Sequence, residues 1–301
     1  MEGTVKRYLQ IVGLGFVAPF FLFLIVFQFY PIINTLMLSF TNYDGLKKMD
    51  WVGLKNYADL IVDKYFWLAF LNTWRIWLPN ILMQLALAFL VAFFFTDIRY
   101  RIKGISVFRA VYYFPNLVTA ATIALLINVL LDWKHGALNQ ILFGANEEAF
   151  IDWFRDPVRT QFIVSIVQTW LWFGYTAIIL TTGIQGIPKT YYEAAYVDGA
   201  SAWQAFWSIT MPLLAPVITF VLITSLIGGM QIFDIPYILR MGLAGESGQA
   251  VTTTVIYLYD RGFRYHRMGY AASVAWVLFF LIVLFSLLYF VLAGRENRRK
   301  R

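Results

Sequence analysis

The chain has 301 residues, of which 60% are hydrophobic and 14% charged, against about 25% charged in an average soluble domain. That balance, with a mean hydropathy of +0.66, excludes an ordinary soluble protein, and zero cysteines exclude disulfides, Cys-ligated zinc and iron–sulfur clusters. The net charge of +7 is expected from topology and from anionic lipid headgroups at Arg295–Arg301, not from nucleic acid, because the basic residues are juxtamembrane.

Six charge-free runs follow one another along the chain, over residues 8–43, 76–96, 110–131, 160–188, 199–233 and 268–294. Each supplies about 20 mostly apolar residues, the length that crosses a bilayer core. Lipid cannot satisfy bare backbone groups, so each run is predicted as a helix, giving an all-α integral membrane protein with six transmembrane helices. The first run follows Lys6 and Arg7 as in a signal peptide, but its apolar region is too long and lacks a small-residue cleavage site, so it reads as an uncleaved span. Six spans place both termini on one side. The 24 Lys and Arg residues divide evenly between the two sides, but those on the terminal side crowd into roughly half the loop length, which makes both termini cytoplasmic.

The outer loops differ. Residues 31–75 carry Trp51, Tyr57, Tyr65 and Trp67 among charges and are expected to lie on the membrane interface. Residues 132–159 mix Gly136, Gly144 and Asn146 with two acidic pairs, and residues 234–267 hold Gly242, Gly245, Gly248 and Gly262 before an aromatic cluster. His135 and His266 have no partner at metal spacing, so no metal site is expected.

One cytoplasmic stretch, YYEAAYVDGASAWQAFWSITMP (residues 191–212), looks like neither a span nor a plain loop. Pro188 suits the first turn of a helix, and Glu193 is expected in that turn, where the helix dipole favours an acid. Ala194 and Ala195 allow close approach by another surface. Asp198-Gly199 should end the helix with Gly199 in the left-handed conformation, and Ser201 with Gln204 forms a capping-box signature for a second helix. Trp203, Phe206 and Trp207 then share one face, as an interfacial helix requires, and Pro212 is expected to break or kink the chain before the fifth span. Such a helix pair either tidies a connection between spans or docks into a cleft on a cytosolic partner.

The run Glu193-Ala194-Ala195, three residues, Gly199, nine residues, Ile209, one residue, Met211-Pro212 resembles the EAA loop of bacterial binding-protein-dependent ABC importer permeases. Met211 stands where a Leu is usual, a volume-conserving departure. Tyr192, Asp198-Gly199-Ala200-Ser201, Phe206, Ile232-Phe233-Asp234, Asn72-Thr73 and Tyr113-Phe114-Pro115 extend the likeness to the sugar-permease branch, over roughly residues 72–294. Where many relatives have a Gly-Gly-Pro segment after the fifth span, this chain has Met241-Gly242-Leu243-Ala244-Gly245.

The resemblance implies a type I ABC importer permease in the bacterial cytoplasmic (inner) membrane. It divides the chain into an N-terminal span and first outer loop (1–71), a permease core (72–294) with a coupling loop at 186–212, and a basic tail (295–301). It implies a second homologous permease, two ABC ATPase subunits carrying ATP and Mg, and an extracytoplasmic sugar-binding protein as partners. Glu193, Ala194, Ala195, Asp198 and Gly199 would seat in the ATPase: Glu193 as polar contact, the alanines as close-packing surface, Gly199 as the turn.

The chain itself offers no engine. The nearest approach to a P-loop, Gly183-Ile184-Gln185-Gly186-Ile187-Pro188-Lys189-Thr190, has Pro188 where the second Gly must be, and Glu246-Ser247-Gly248-Gln249 only faintly echoes an ABC signature. No ionisable residue occupies a span core, which argues against a self-sufficient, ion-driven carrier for a neutral polar solute, the competing reading. A charge-free pathway suits an uncharged, hydroxyl-rich substrate. Trp172, Tyr175, Ser225, Gly228, Gly229 and Gln231 are its candidate lining, alongside Asn80, Gln84, Asn128, Gln168, Thr224 and Phe233, although Gly and Ser in spans equally serve helix packing. A membrane-embedded enzyme would need convergent groups; Asp132, His135, Glu147 and Glu148 share a loop without a catalytic spacing.

Overall fold

In the computed structural model the described residues are 2–46, 49–96, 104–243 and 245–299, with side chains described over 12–46, 49–95, 104–243 and 245–291. Arg99, Arg101, Lys103, Lys300 and Arg301, all used in the charge count, lie outside them. The chain forms two compact units, one of Met1–Asp63 with Leu258–Phe279, the other of Lys64–Tyr257 with Phe280–Arg301.

In the first unit, α1 (Glu2–Leu24) runs through a π turn at Ile25–Phe29 into α2 (Tyr30–Ser39). Pro31 therefore does not end the span: it sits in the first turn after the π turn, where its missing N–H breaks nothing. The loop after Ser39 is folded on itself. Phe40 stacks on Trp51 with ring centres 5.3 Å apart, and buried Asn56, from α3 (Lys55–Val62), donates to the carbonyls of Ser39 (2.9 Å) and Thr41 (2.8 Å). Tyr57, expected at the membrane interface, is hydrogen-bonded to Ser39 at 2.7 Å. Asp63 accepts from Tyr270 (2.9 Å) and lies 3.6 Å from Arg261.

The second unit is built on α4 (Lys64–Thr96) and α8 (Pro157–Gln185). They run parallel. Gln161 donates to Asn72 (3.0 Å), Ser165 to the Ile76 carbonyl (2.8 Å) and Thr169 to the Asn80 carbonyl (3.2 Å), each pair 89 positions apart, and Gln84 reaches Thr176 at 2.6 Å. Toward their C-terminal ends the seam becomes apolar, with Ala88 and Ala92 against Ala177, Leu180 and Ile184, joined by Leu214 and Val221. Small residues let the backbones approach, and the polar pairs replace bonds that lipid could not supply.

Between them lies the expected third span, and it is broken. α5 (Ile105–Tyr113) and the short turn Phe114–Leu117 meet α6 (Ala120–Leu130) at 89°. Pro115 and the Thr119 side chain, which caps α6 at Thr122, start the second helix in a new direction. Parallel α4 and α8 require the chain to recross between them, and α5 with α6 is the apolar segment there, so the bent pair acts as one span. The other five candidate spans fall at residues 12–39, 64–95, 157–185, 202–241 and 268–291, the fourth interrupted at 231–233.

α7 (Ala137–Phe143) belongs to the loop before α8; α9 (Lys189–Val197) and α10 (Ala202–Ala205) follow it. A π turn, Phe206–Thr210, carries α10 into α11 (Met211–Met230) without a break, so Pro212 sits in the first turn of α11 and does not interrupt the chain. The expected third outer loop is mostly helical: α12 (Asp234–Met241), α13 (Gly245–Ala250) and α14 (Thr254–Tyr259), before α15 (Met268–Arg299).

Candidate functional site

α9 leaves the C-terminal end of α8, which is about 43 Å long at 29 residues, so α9 and the 132–159 loop lie at opposite ends of that span. Pro188 precedes the helix with ψ 129°, setting its start at Lys189. Glu193 thus falls in the second turn, past the orphan N–H groups that favour an acid, and not in the first turn as the sequence suggested. The C-terminal end matches expectation. Gly199 has φ +82°, its N–H bonds the Tyr196 carbonyl (3.1 Å), and the Ala200 N–H bonds the Ala195 carbonyl (2.9 Å), which is a complete Schellman turn. The next helix opens with both halves of the capping box, Ser201 N–H to Gln204 Oε1 (2.7 Å) and Gln204 N–H to Ser201 Oγ (3.2 Å).

No residue of α9 is buried. Glu193, Ala194, Val197, Asp198 and Gly199 are exposed, whereas Ala195 turns partly inward. The two alanines therefore differ: Ala194 is open to a partner, and Ala195 closes the turn. Tyr192 holds the helix down, its hydroxyl 2.9 Å from Thr210 Oγ1 in the π turn. Trp203, Phe206 and Trp207 share one face after Ser201, their ring centres within 6.2 Å of one another. Phe206 is buried against Phe93 of α4, 5.3 Å between ring centres, while Trp203 and Trp207 remain exposed.

The pathway candidates separate into two groups. Ser225 accepts from the Trp77 indole N–H (3.2 Å), and a Cβ at Gly229 would overlap that same indole, so both seat α4 against α11. Gly228 has open space beside it, and Gln231 is exposed just past the end of α11. Trp172 and Tyr175 sit together on the exposed side of α8, edge to face at 6.1 Å. Asn80 and Gln84 are consumed by the α4–α8 seam. Sequence reading passed over Trp77, whose partners lie 148 positions away in Ser225, and Gly174, where a Cβ would collide with the Tyr112 backbone beside the bend of the third span.

The two decoys have structural occupations. Gly183–Gln185 form the last turn of α8, with Gly183 facing Leu214 and Val217, rather than a phosphate loop. Ser247 donates to the Arg155 carbonyl (3.1 Å), and the Gln249 carbonyl accepts from Asn72 (2.9 Å). Among the described residues no cluster of His, Asp and Glu could hold a metal ion.

Residues 85–301 match the family model of binding-protein-dependent transport system inner membrane components. The chain is 31% identical to the lactose transport system permease protein LacF of Rhizobium radiobacter, over 99% of this chain and 98% of that one. It is also 31% identical to the arabinooligosaccharides transport system permease protein AraP of Bacillus subtilis, over 93% and 87%. In fold it is similar to a chain of a bacterial alginate ABC transporter solved with an alginate pentasaccharide-bound periplasmic protein, with TM-score 0.82 at 19% identity over 99% and 98% of the two chains. The polar α4–α8 seam, the five candidate spans with one bent pair, and these likenesses agree, and the chain belongs to the binding-protein-dependent ABC transporter permeases, as a multi-pass membrane protein.

Proposed function

We propose that this protein is the transmembrane permease subunit of an ATP-driven carbohydrate importer. The observation that carries the reading is the end-to-end likeness to permeases of lactose and arabinooligosaccharide transport. It forms half of the translocation pathway beside a second, homologous permease. ATP and Mg are handled by two separate ATPase subunits, and an extracytoplasmic sugar-binding protein delivers the substrate. Both termini and α9 face the cytoplasm of the inner membrane.

In this reading α9 is the coupling helix. A nine-residue helix with no buried side chain gains little from its own fold; what it offers is a rigid exposed face, with Glu193, Ala194 and Asp198 toward the ATPase and Gly199 fixing the turn behind. ATP-driven closure of the ATPases moves α9, and the Tyr192–Thr210 bond with the continuous α10–α11 helix passes that movement to the fifth span. Trp172, Tyr175, Gly228 and Gln231 offer ring faces and hydroxyl partners to a neutral sugar, while Ser225 and Gly229 keep α11 seated on Trp77 behind them.

The test is sugar uptake by the co-purified complex in vesicles. Uptake that requires both internal ATP and the external binding protein supports the reading. Uptake by this chain alone, driven by an ion gradient, overturns it.

A further inference from the structure

The loop at the N-terminal end of α8, opposite α9, is a small folded body. Asp132 Oδ1 accepts the backbone N–H groups of Lys134 (3.1 Å) and His135 (2.7 Å). Gly136 then fits so tightly that a Cβ would press on the Leu130 carbonyl at 2.7 Å. The centre is Asn139, with no solvent exposure. Its Nδ2 donates to the carbonyls of Trp133 and Ile151, both at 2.9 Å, and its Oδ1 accepts from Trp153 Nε1 (3.0 Å) and the Ile151 N–H (3.3 Å). One amide with all four bonds made ties the start of the loop to its end.

This scaffold encloses an open cavity of about 710 Å³ lined by Trp133, Phe150, Asp152, Arg155, Asp156 and Arg159, a size within the usual range for small-molecule sites. Asp156 Oδ1 caps α8 at the Arg159 N–H (2.7 Å), and the Arg159 guanidinium leans on the Asp152 carbonyl (3.3 Å). Among the described residues no side chain engages the Asp152 carboxylate or the Arg155 guanidinium. Trp133 is half exposed, with Lys134 over its ring at 5.6 Å.

Within the lining two carboxylates balance two guanidiniums, and Lys134 adds its charge only beside the Trp133 ring. The two pairs supply acceptors and donors in equal measure around two aromatic rings. A neutral, hydroxyl-rich ring satisfies both: its hydroxyls donate to carboxylate, its oxygens accept from guanidinium, and its C–H face lies on an indole. We infer that this cavity is a saccharide subsite, holding one or two neutral sugar rings at the mouth of the permease, apart from the pathway within the spans. The inference rests on the carbohydrate-importer reading.

The experiment titrates the purified full-length chain, in lipid nanodiscs without any binding protein, with lactose, maltose and arabinotriose, followed by saturation-transfer NMR. At least one sugar is expected to bind saturably, with Trp133→Ala and Asp152→Asn each weakening it about tenfold and the exposed Glu147→Gln leaving it unchanged. The inference is overturned by absence of binding or by binding indifferent to both substitutions. Parallel uptake by the assembled transporter separates the failures: uptake without Trp133-dependent binding overturns the subsite alone, whereas no ATP-dependent uptake of any sugar overturns the carbohydrate reading itself.

Discussion

At the scale of single residues, two glycines carry sharply different loads. Gly199 adopts φ +82° in open space, so what it supplies is conformation, not room. Putting a β-branched residue there costs about 1–2 kcal/mol or more and unwinds the Schellman turn. Gly199→Val is expected to insert normally in the membrane yet lose ATP-driven uptake, with Gly199→Asn retaining part of it because Asn tolerates the left-handed region. Normal uptake by Gly199→Val would contradict the role of α9. Gly229 supplies room instead, since the Trp77 indole occupies the place of its side chain. Gly229→Ala should lower thermal stability by about 1–3 kcal/mol, while Gly228→Ala, beside it and unobstructed, should change the melting temperature little; equal effects would refute the packing assignment. The first glycine was legible in the sequence because Asp-Gly after a short helix is a local rule. The second was not, because its partner comes from another helix.

At the scale of elements, the α4–α8 seam extends into the α12–α14 region. Asn72 Nδ2 donates to the carbonyls of Gln249 (2.9 Å) and Thr252 (3.3 Å), Gln161 also reaches the Ala250 carbonyl (2.9 Å), and Thr73 meets Thr254 at 3.0 Å. Asn72→Ala strands two carbonyls and one side of the Gln161 amide, a loss of about 1–3 kcal/mol. Amide exchange over residues 249–254 is expected to speed up, with the far end of α8 unaffected; unchanged exchange would show that the outer helices are held otherwise. Hydropathy located every apolar segment but missed three joins. The run 110–131 carries no charge and so read as one span, yet it bends at Pro115 and the Thr119 cap, just past where the Tyr112 backbone packs on Gly174. Pro212 read as a break and residue 31 as the start of a loop, yet each proline follows a π turn that already rearranges the backbone bonds it would disrupt. The 234–267 segment read as loop because its helices are short and rich in glycine.

At the scale of the whole molecule, function depends on which ends of the spans meet which partners. Parallel α4 and α8 demand a crossing between them; that α9 faces the cytoplasm is the reading on which the importer rests. The EAA spacing was legible because it is local, as were the capping box and the left-handed glycine. The cavity at the other end of α8 was not, since its walls are joined by the Asn139 bonds to Trp133 and Ile151 and by the Arg159 bond to Asp152, none of which a local pattern announces.

The chain contains no cysteine, so a single thiol reports on one place. The most direct measurement is therefore Ala194→Cys, cross-linked through a short thiol-to-amine reagent in native membranes, with Glu147→Cys at the opposite end of α8 as control. The expected result is a covalent adduct between Ala194→Cys and a P-loop ATPase subunit, in a yield that changes with ATP, and no such adduct from Glu147→Cys. An Ala194→Cys protein that supports full transport yet forms no ATPase adduct, or an adduct formed from Glu147→Cys instead, would contradict the assignment of α9 as the helix through which ATP drives this permease.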